Sequence, residues 1–211
     1  MTKDTGRVLV TGGSGDIGGA ICAALARDGW RVVVHAHANR GRAESVAAGI
    51  REAGGAAEVA AFDLVDAAAT RTAIEGLLQA GPVHALVHNA GIHDDAPLAG
   101  MHEAQWRGVI EVSLHGFFHA VQPLLLPMAR ARFGRIVAVS TMGSLHPVLH
   151  GNAGYGSSKA GINGLIRAVA FDHAGQGIRA NSVLHGAVPV GDFPTDMPPA
   201  AGPGLDPTRS N

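Results

Sequence analysis

The chain of 211 residues has a formal net charge of −1, a hydrophobic fraction of 46% and a single cysteine. This length favours one domain with one core, and the near-zero charge argues against nucleic acid or an anionic membrane as the main partner. Cys22 alone cannot form an internal disulfide, which fits a reducing, cytoplasmic location. The scattered histidines match no metal-binding pattern, and we find no apolar run of about 18 residues that would span a bilayer.

The predicted elements alternate between strands and helices along the chain. Short apolar runs predict six strands, at residues 7–11, 31–36, 57–64, 83–91, 134–141 and 178–184. Apolar residues at helical spacing predict helices at residues 17–29, 42–55, 66–80, 103–130 and 155–175. Because proline lacks an amide donor, we expect the long helix to bend near Pro123 and Pro127. Strands that are apolar on both faces indicate a doubly wound parallel α/β sheet covered by helices on both sides.

A glycine-rich turn, TGGSGDIG at residues 11–18, joins the first strand to the first helix. In this context Gly12 can form the tight turn, Gly13 or Gly15 can let the backbone approach a pyrophosphate, and Gly18 can let the helix pack closely on the strand. We therefore predict dinucleotide binding, with a purely structural turn as the alternative. The predicted binding segment comprises Gly12, Gly13, Ser14, Gly15, Asp16, Ile17 and Gly18.

The segment after the second strand, HAHANRGR at residues 35–42, contains no carboxylate to bind a ribose 2′-hydroxyl. Its polar and basic side chains are those of His37, Asn39, Arg40 and Arg42. They favour a 2′-phosphate and hence NADP(H), unless the arginines only solvate the start of a helix. Asp63 and Leu64, at the end of the third strand, are also assigned to the cofactor site. Asp63 is a candidate acceptor for the adenine amine, or alternatively a helix cap.

Tyr155 and Lys159 lie four residues apart on a predicted helix, so their side chains share one face. A nearby cation stabilises a phenolate and lowers the pKa of the tyrosine, which would let the pair move a proton. The alternative is a surface ion–dipole pair.

With this pair, the motifs TGGSGDIG, HNAG at residues 88–91 and AVST at residues 138–141 make the chain resemble the short-chain dehydrogenase/reductases, a Rossmann-type family. Within the family the chain is most similar to the 3-oxoacyl-(acyl-carrier-protein) reductases of fatty acid or polyketide biosynthesis. This resemblance implies that NADPH reduces the β-ketone of an acyl thioester. Tyr155 would protonate the alkoxide, Lys159 would bind the nicotinamide ribose and lower the tyrosine pKa, and Asn89, Ala90 and Gly91 would line the adenine-ribose side.

Several positions depart from the family pattern. The family's catalytic serine aligns with Thr141, with Ser140 and Ser144 as rivals, and its catalytic asparagine aligns with Ser113. Asp16 stands where the family has glycine, and an acid beside a pyrophosphate is repulsive unless it points outward.

The resemblance also implies partners. Arg132, with Arg130 close by, matches one position at which the family contacts an acidic carrier protein, whereas the second such position is Gln176. The resemblance further implies a homo-oligomer, a dimer or tetramer, through the long helix and the helix of Tyr155. Another alcohol or ketone oxidoreductase of this fold, or a non-catalytic or truncated family member, are the alternatives.

The end of the chain differs in composition from the rest. Residues 189–211 hold six of the 11 prolines and show no periodicity. We therefore predict a dinucleotide-binding catalytic domain at residues 1–188 and an irregular tail at residues 189–211. The family's seventh strand is expected to be missing, since nothing after Val190 resembles it.

Overall fold

The computed structural model describes residues 5–145 and 151–186, so the predicted tail and any seventh strand lie outside the described part of the chain. Its strands are β1 (Gly6–Thr11), β2 (Trp30–Ala36), β3 (Ala56–Ala61), β4 (Ala85–His88), β5 (Gly134–Thr141) and β6 (Ile178–His185). Its α-helices are α1 (Asp16–Arg27), α2 (Arg40–Glu52), α3 (Ala67–Gln79), α4 (Glu103–Ile110), α5 (Gly116–Arg130) and α6 (Ala153–His173).

The six strands form one parallel sheet in the order β3-β2-β1-β4-β5-β6. The predicted doubly wound α/β fold is thereby confirmed. The chain moves outward from β1 in one direction through β2 and β3, and in the other through β4, β5 and β6. The strand order reverses between β1 and β4, and in such sheets the carboxyl ends of the strands at this point border a ligand crevice.

Helices cover both faces of the sheet because alternate strand residues face opposite sides. In β1, Leu9 belongs to a core shared with α3, α5 and α6, whereas Val8 and Val10 belong to a second core shared with α1 and α2. All three side chains are fully buried. The burial of both faces explains why the strands are continuous apolar runs rather than alternating patterns.

The long helical segment spans the predicted residues 103–130. Both prolines lie inside α5, which continues without a break to Arg130, and a π-helical turn that we had not predicted lies at Glu111–His115. Glu103–Arg130 also contains one window of mean hydropathy 1.3, long and apolar enough to cross a membrane, so our expectation of no such segment was wrong. In the folded chain, its side chains Phe117, Leu124 and Met128 are buried against the sheet.

Strand β6 begins after a turn that only glycine can form. Gly177 has φ of +80°, and a Cβ at this position would overlap the carbonyl oxygen of Arg132. Gly49, on the exposed face of α2, has no neighbouring atom within 4 Å of such a Cβ.

We predict opposite effects of adding a methyl group at these two glycines. Gly177→Ala should lower the free energy of unfolding by about 1–3 kcal/mol, since it adds backbone strain. Gly49→Ala should raise it by as much as about 1 kcal/mol because alanine is the better helix former. Urea denaturation of both variants measures the difference, and equal midpoints for the two would contradict this account of the turn.

Candidate active site

The glycine turn brings α1 against the end of β1 and against the loop after β4. Gly12 has φ of +64°, and a Cβ on it would lie 2.9 Å from the Ala90 Cα atom. A Cβ on Gly18 would overlap the carbonyl oxygen of Gly12. Both positions exclude any side chain, as a tight turn and close helix–strand packing require.

Gly13 and Gly15 differ in the space around them. A Cβ on Gly13 would face inward, 3.0 Å from the Val10 carbonyl oxygen, whereas one on Gly15 would meet only the Gly12 carbonyl oxygen at 3.4 Å. Gly15 also precedes α1 as its N-cap and provides no side-chain cap. The approach to the positive end of α1 is therefore open at Gly15, flanked by the partly buried Ser14 and Ile17.

Asp16, in the first turn of α1, is paired with an arginine of the neighbouring helix α2. Its carboxylate forms an ion pair with the guanidinium of Arg42, in the first turn of α2, and both side chains are about half exposed. The arginine thus compensates the acid that stands where the family has glycine. No local sequence pattern indicates this pairing, because the two residues are 26 positions apart.

The other polar residues near the end of β2 lie at the surface. The Nε2 atom of His37 is 3.5 Å from a carboxylate oxygen of Asp63, the side chain of Asn39 caps α2, and Arg40 lies 3.5 Å from Glu44. Asp63 also accepts a hydrogen bond from the Val65 amide at 2.9 Å.

Asp63 and Leu64, in the loop after β3, have different surroundings. The cap of α3 is Asp66, so Asp63 does not serve as that helix cap. The Leu64 side chain, which we had assigned to the cofactor site, is only 4% exposed and packs in the core.

The loop after β4 is tied to β1 and to the glycine turn. The hydroxyl of Thr11 accepts hydrogen bonds from the amides of Asn89 and Ala90, both at 3.2 Å. The side-chain amide of Asn89 donates to the Gly12 carbonyl oxygen, also at 3.2 Å. The HNAG motif thus holds the turn from the side opposite to β2.

Two buried histidines, which we had not assigned to the site, hold the same region. The Gly12 amide donates to Nδ1 of His35, and the hydroxyl of Thr11 lies 3.0 Å from Nδ1 of His88. Burial lowers the pKa of His35 to about 4 and that of His88 to about 3. The sequence feature that could have identified these histidines is a polar residue near the carboxyl end of an otherwise apolar strand.

Tyr155 and Lys159 lie in α6 beside the end of β5. The Lys159 ammonium donates to the Val139 carbonyl oxygen at 2.8 Å and lies 5.5 Å from the centre of the Tyr155 ring. Burial lowers the pKa of Lys159 to about 8. Lys159 is therefore mostly charged at neutral pH, although its side chain is 2% exposed.

The pKa of Tyr155 is raised, first by burial and second by the negative charge of Asp95. The resemblance had implied a lowered value, so the direction was wrong for this structure. Burial and the Asp95 charge both disfavour the phenolate, and together they outweigh the attraction of the Lys159 ammonium.

Three hydroxyls, those of Ser140, Thr141 and Ser144, lie at the end of β5 and in the turn after it, and their hydrogen bonds differ. Ser144 donates to the Thr141 carbonyl oxygen at 2.6 Å and accepts from the Asn163 side chain, so it holds the turn. Ser140 is fully buried and donates to Ser144 at 3.5 Å. Thr141 is slightly exposed, and its oxygen accepts a hydrogen bond from the Gly143 amide at 3.2 Å. Among the described residues, its hydroxyl proton meets the His185 carbonyl oxygen alone, at the long distance of 3.5 Å. Its hydroxyl is therefore the most available donor of the three.

Ser113 lies in the π-helical turn, close to Lys159. A Cβ added to Gly91 would lie 3.2 Å from the Lys159 Nζ atom and 3.3 Å from the Ser113 Oγ atom. This Oγ atom is buried and has no hydrogen-bond partner in the described residues. The absence of a side chain at Gly91 thus lets the ammonium and the hydroxyl approach each other.

The two arginines assigned to a carrier protein lie elsewhere. Arg130 ends α5, and Arg132 donates to the Gly175 carbonyl oxygen at 3.0 Å in the turn before β6. Both precede the amino end of β5, at the edge of the sheet opposite to Tyr155. Gln176, in the same turn, hydrogen-bonds His173 at 2.6 Å.

Comparisons with known proteins agree with this geometry. A family model described as short chain dehydrogenase matches residues 6–196. A 3-oxoacyl-(acyl-carrier-protein) reductase FabG from Aggregatibacter actinomycetemcomitans is 33% identical, with 90% of this chain and 79% of that protein covered. An acetoacetyl-CoA reductase from Allochromatium vinosum is 36% identical, with 85% of this chain and 74% of that protein covered.

Among solved structures, a gluconate 5-dehydrogenase from Burkholderia cenocepacia, in complex with NADP and tartrate, superimposes with a TM-score of 0.82. It is 30% identical in sequence, and the match covers 87% of this chain and 72% of that one. The family match, these relatives and the glycine turn facing Tyr155 and Lys159 together show that the chain belongs to the short-chain dehydrogenase/reductase family of NAD(P)-dependent oxidoreductases.

Proposed function

We propose that the protein uses NADPH to reduce a 3-oxoacyl thioester to the 3-hydroxyacyl thioester. The observation that carries the proposal is the position of Tyr155 and the Lys159 ammonium at the carboxyl edge of the sheet, where the glycine turn also lies. Two of the relatives are named for reduction of such thioesters. A cytoplasmic role in fatty acid or polyketide synthesis follows from this activity.

The residues present fit a dinucleotide. Gly15 leaves the end of α1 open to a diphosphate, and Gly91 leaves room beside Lys159. When bound, NADPH supplies the hydride that reduces the ketone carbon. Tyr155 gives its proton to the carbonyl oxygen as the hydride arrives, and the Thr141 hydroxyl polarises that carbonyl group. The raised pKa of Tyr155 suits this direction, because the phenol holds its proton at neutral pH.

Lys159 serves this chemistry as a buried cation. One of its three ammonium protons is bound to the Val139 carbonyl oxygen, which leaves the others for the ribose hydroxyls of the cofactor. The Ser113 hydroxyl, adjacent and without a hydrogen-bond partner among the described residues, is suited to hold a water molecule. This water can replace the proton that Lys159 passes to the Tyr155 phenolate after Tyr155 has protonated the carbonyl oxygen. The ammonium also stabilises the phenolate that forms when the proton leaves Tyr155.

The charge of the site favours a substrate that is neutral at its reacting end. The segment that carries Asp95 is fixed beside α6, because Ala96 pairs with Asn152 and the Ala96 amide donates to the Gly151 carbonyl oxygen at 3.0 Å. Asp95 acts on Tyr155 from this position. A carboxylate close to the reacting carbon would be repelled there, whereas a 3-oxoacyl thioester carries no charge near its ketone. A sugar acid is therefore the less favoured substrate, although a gluconate dehydrogenase is among the structural neighbours.

We propose NADP(H) rather than NAD(H) because the segment of residues 35–42, which ends β2 and begins α2, carries two arginines and no carboxylate of its own. Arg40 is more than half exposed and only weakly paired, so it is the cation most available to a 2′-phosphate. His37 and Asn39 lie on the same short segment. The related structure with bound NADP supports this choice.

We further propose that the protein self-associates and accepts a carrier-bound substrate. Exposed apolar side chains on α5 and α6, those of Phe118, Leu126 and Phe171, supply surface for a second copy. Arg130 and Arg132 lie at the amino edge, so a carrier bound there would serve the site of another subunit. Carrier binding at these arginines thus requires the assembly.

Replacing the proposed acid should abolish turnover and spare cofactor binding. Tyr155→Phe removes only the hydroxyl, so we expect kcat to fall by about 10²–10⁴-fold with the dissociation constant of NADPH nearly unchanged. Acetoacetyl-CoA and a nicotinamide absorbance assay measure the rate, and NADPH fluorescence measures binding. Ser157→Ala, on the exposed face of the same helix, is the matched control. Turnover retained in Tyr155→Phe would refute the assignment, and reduction of gluconate-type ketones in preference to the thioester would favour the alternative substrate.

The cofactor preference should depend on Arg40. Because a phosphate gains more from an arginine than a hydroxyl does, Arg40→Ala should weaken NADPH binding by about tenfold and leave NADH binding within about twofold. The matched control is Arg51→Ala, at the other end of α2, where the side chain contacts Glu44. Equal losses for both cofactors would contradict a 2′-phosphate site at Arg40.

The carrier proposal predicts different effects on a carrier-bound thioester and on a thioester of coenzyme A. In Arg130→Glu and Arg132→Glu, KM for a carrier-bound substrate should rise by about tenfold, since like charges would meet at the docking surface, while KM for acetoacetyl-CoA should not change. Sedimentation of the wild type at micromolar concentration tests the assembly. A stable monomer, or equal effects on both substrates, would refute the proposal.

A further inference from the structure

Two buried histidines occupy matching positions on the strands that flank β1. His35 lies in β2 and His88 in β4, each near the carboxyl end of its strand, and their side chains are 2% and 0% exposed. The proposed chemistry uses neither ring. Each ring nevertheless contacts one of two consecutive residues at the end of β1, Thr11 or Gly12.

The bonds of His35 define its proton. The Gly12 amide can only donate, so Nδ1 of His35, 3.1 Å away, accepts. The Phe62 carbonyl oxygen can only accept, so Nε2, 3.0 Å away, carries the proton. His35 is therefore a neutral ring that links the glycine turn to the end of β3. Its own carbonyl oxygen also accepts from the Ser14 amide at 3.3 Å.

The bonds of His88 follow the same pattern. Nε2 donates to the Ser113 carbonyl oxygen at 3.2 Å, and Nδ1 accepts from the Thr11 hydroxyl at 3.0 Å. Thr11 has no hydrogen-bonding capacity left, because its oxygen accepts the amides of Asn89 and Ala90. His88 therefore links β1 to the π-helical turn that places the Ser113 hydroxyl near Lys159.

Only the neutral rings satisfy these partners. A proton on Nδ1 would point at the Gly12 amide in one case and at the fully engaged Thr11 hydroxyl in the other. The surroundings keep both rings neutral: burial opposes protonation of each, the Lys159 ammonium acts against charge on His88, and His37 acts against charge on His35, where Asp63 has the opposite but smaller effect.

We propose that His35 and His88 are positioning residues, which hold the glycine turn and the π-helical turn in the places that a bound dinucleotide requires. The two rings extend one line of hydrogen bonds across the carboxyl edge, from the Phe62 carbonyl oxygen through His35 to Gly12, and from Thr11 through His88 to Ser113. A change in either ring would shift the backbone of the glycine turn or of the π-helical turn, although both rings themselves are buried. This inference rests on the proposed function for the identity of the dinucleotide.

Binding measurements on apolar and partly conservative variants test this role. His35→Leu and His88→Leu should each weaken NADPH binding by about tenfold or more, because a buried donor or acceptor loses its partner. His35→Asn keeps an acceptor where Nδ1 lies, and His88→Gln keeps a donor where Nε2 lies. These variants should bind within about threefold of the wild type, a rescue that a purely space-filling role would not produce.

His84 provides a matched control at the other edge of the sheet. Its Nδ1 atom accepts from the Arg7 amide at 3.1 Å, so His84→Leu removes a similar bond from the opposite end of β1. This variant should lose stability in thermal unfolding while its NADPH affinity stays within about twofold of the wild type. Equal weakening of NADPH binding in all three leucine variants would overturn the proposal, as would wild-type affinity in both His35→Leu and His88→Leu.

Two readouts are independent of any cofactor. Nitrogen-15 correlation spectra of the wild type should show both rings neutral and protonated at Nε2 at pH 6. Hydrogen exchange of the Gly12 amide should be about tenfold faster in His35→Leu than in the wild type, and about as slow as in the wild type in His35→Asn. If the wild type binds neither NADPH nor NADH, the proposed function fails while these readouts still decide the inference. A ring protonated at Nδ1, or Gly12 exchange that is unchanged in His35→Leu, would overturn it.

Discussion

The carboxyl end of β1 is held from both sides at two consecutive residues, and the rest of the site is arranged around it. Gly12 is fixed by His35 and by Asn89, and Thr11 is fixed by His88 and by the loop after β4. Helix α1 also packs directly against the turn, and this contact requires glycine at position 18, because a Cβ there would overlap the Gly12 carbonyl oxygen. Glycines without side chains and fully hydrogen-bonded groups thus fix the shape of the glycine turn in the absence of a ligand.

The inner part of the site is buried, and this determines how its charges behave. Lys159 is buried with a main-chain carbonyl as its polar contact, so its pKa falls towards neutrality while the ammonium remains the main form. Tyr155 shares this region and faces Asp95, so its pKa rises and it retains its proton. A protonated phenol next to a buried cation is suited to donate a proton to an oxygen that becomes negative, which is the requirement of ketone reduction.

The outer part of the site is exposed to solvent, and its charged side chains form ion pairs at the surface. Asp16 with Arg42 and His37 with Asp63 join neighbouring elements across the surface, and these side chains are roughly half exposed or more. Such pairs contribute little to stability and weaken in salt. Their arrangement can therefore change when a phosphate arrives, whereas the buried histidines and Thr11 cannot easily move. The site thus combines a rigid, buried inner part with an outer part whose exposed charged side chains can rearrange.

The sequence alone determined the fold class, the six strands and the main motifs, because apolar runs, helical spacing and glycine-rich turns are local signals. It predicted the glycine turn, the HNAG loop and the Tyr155–Lys159 pair for the same reason. Element ends were less accurate: the fourth strand, predicted at residues 83–91, is Ala85–His88, since the polar residues after it bind Thr11 and Gly12.

Only the tertiary structure decided which polar groups meet. The pairing of Asp16 with Arg42, the roles of His35 and His88, and the raised pKa of Tyr155 depend on residues that are distant in sequence and on burial, which spacing does not report. The long helix illustrates the same limit. No local pattern indicated the π-helical turn at Glu111–His115, where the Ser113 carbonyl oxygen accepts a hydrogen bond from His88 of another element.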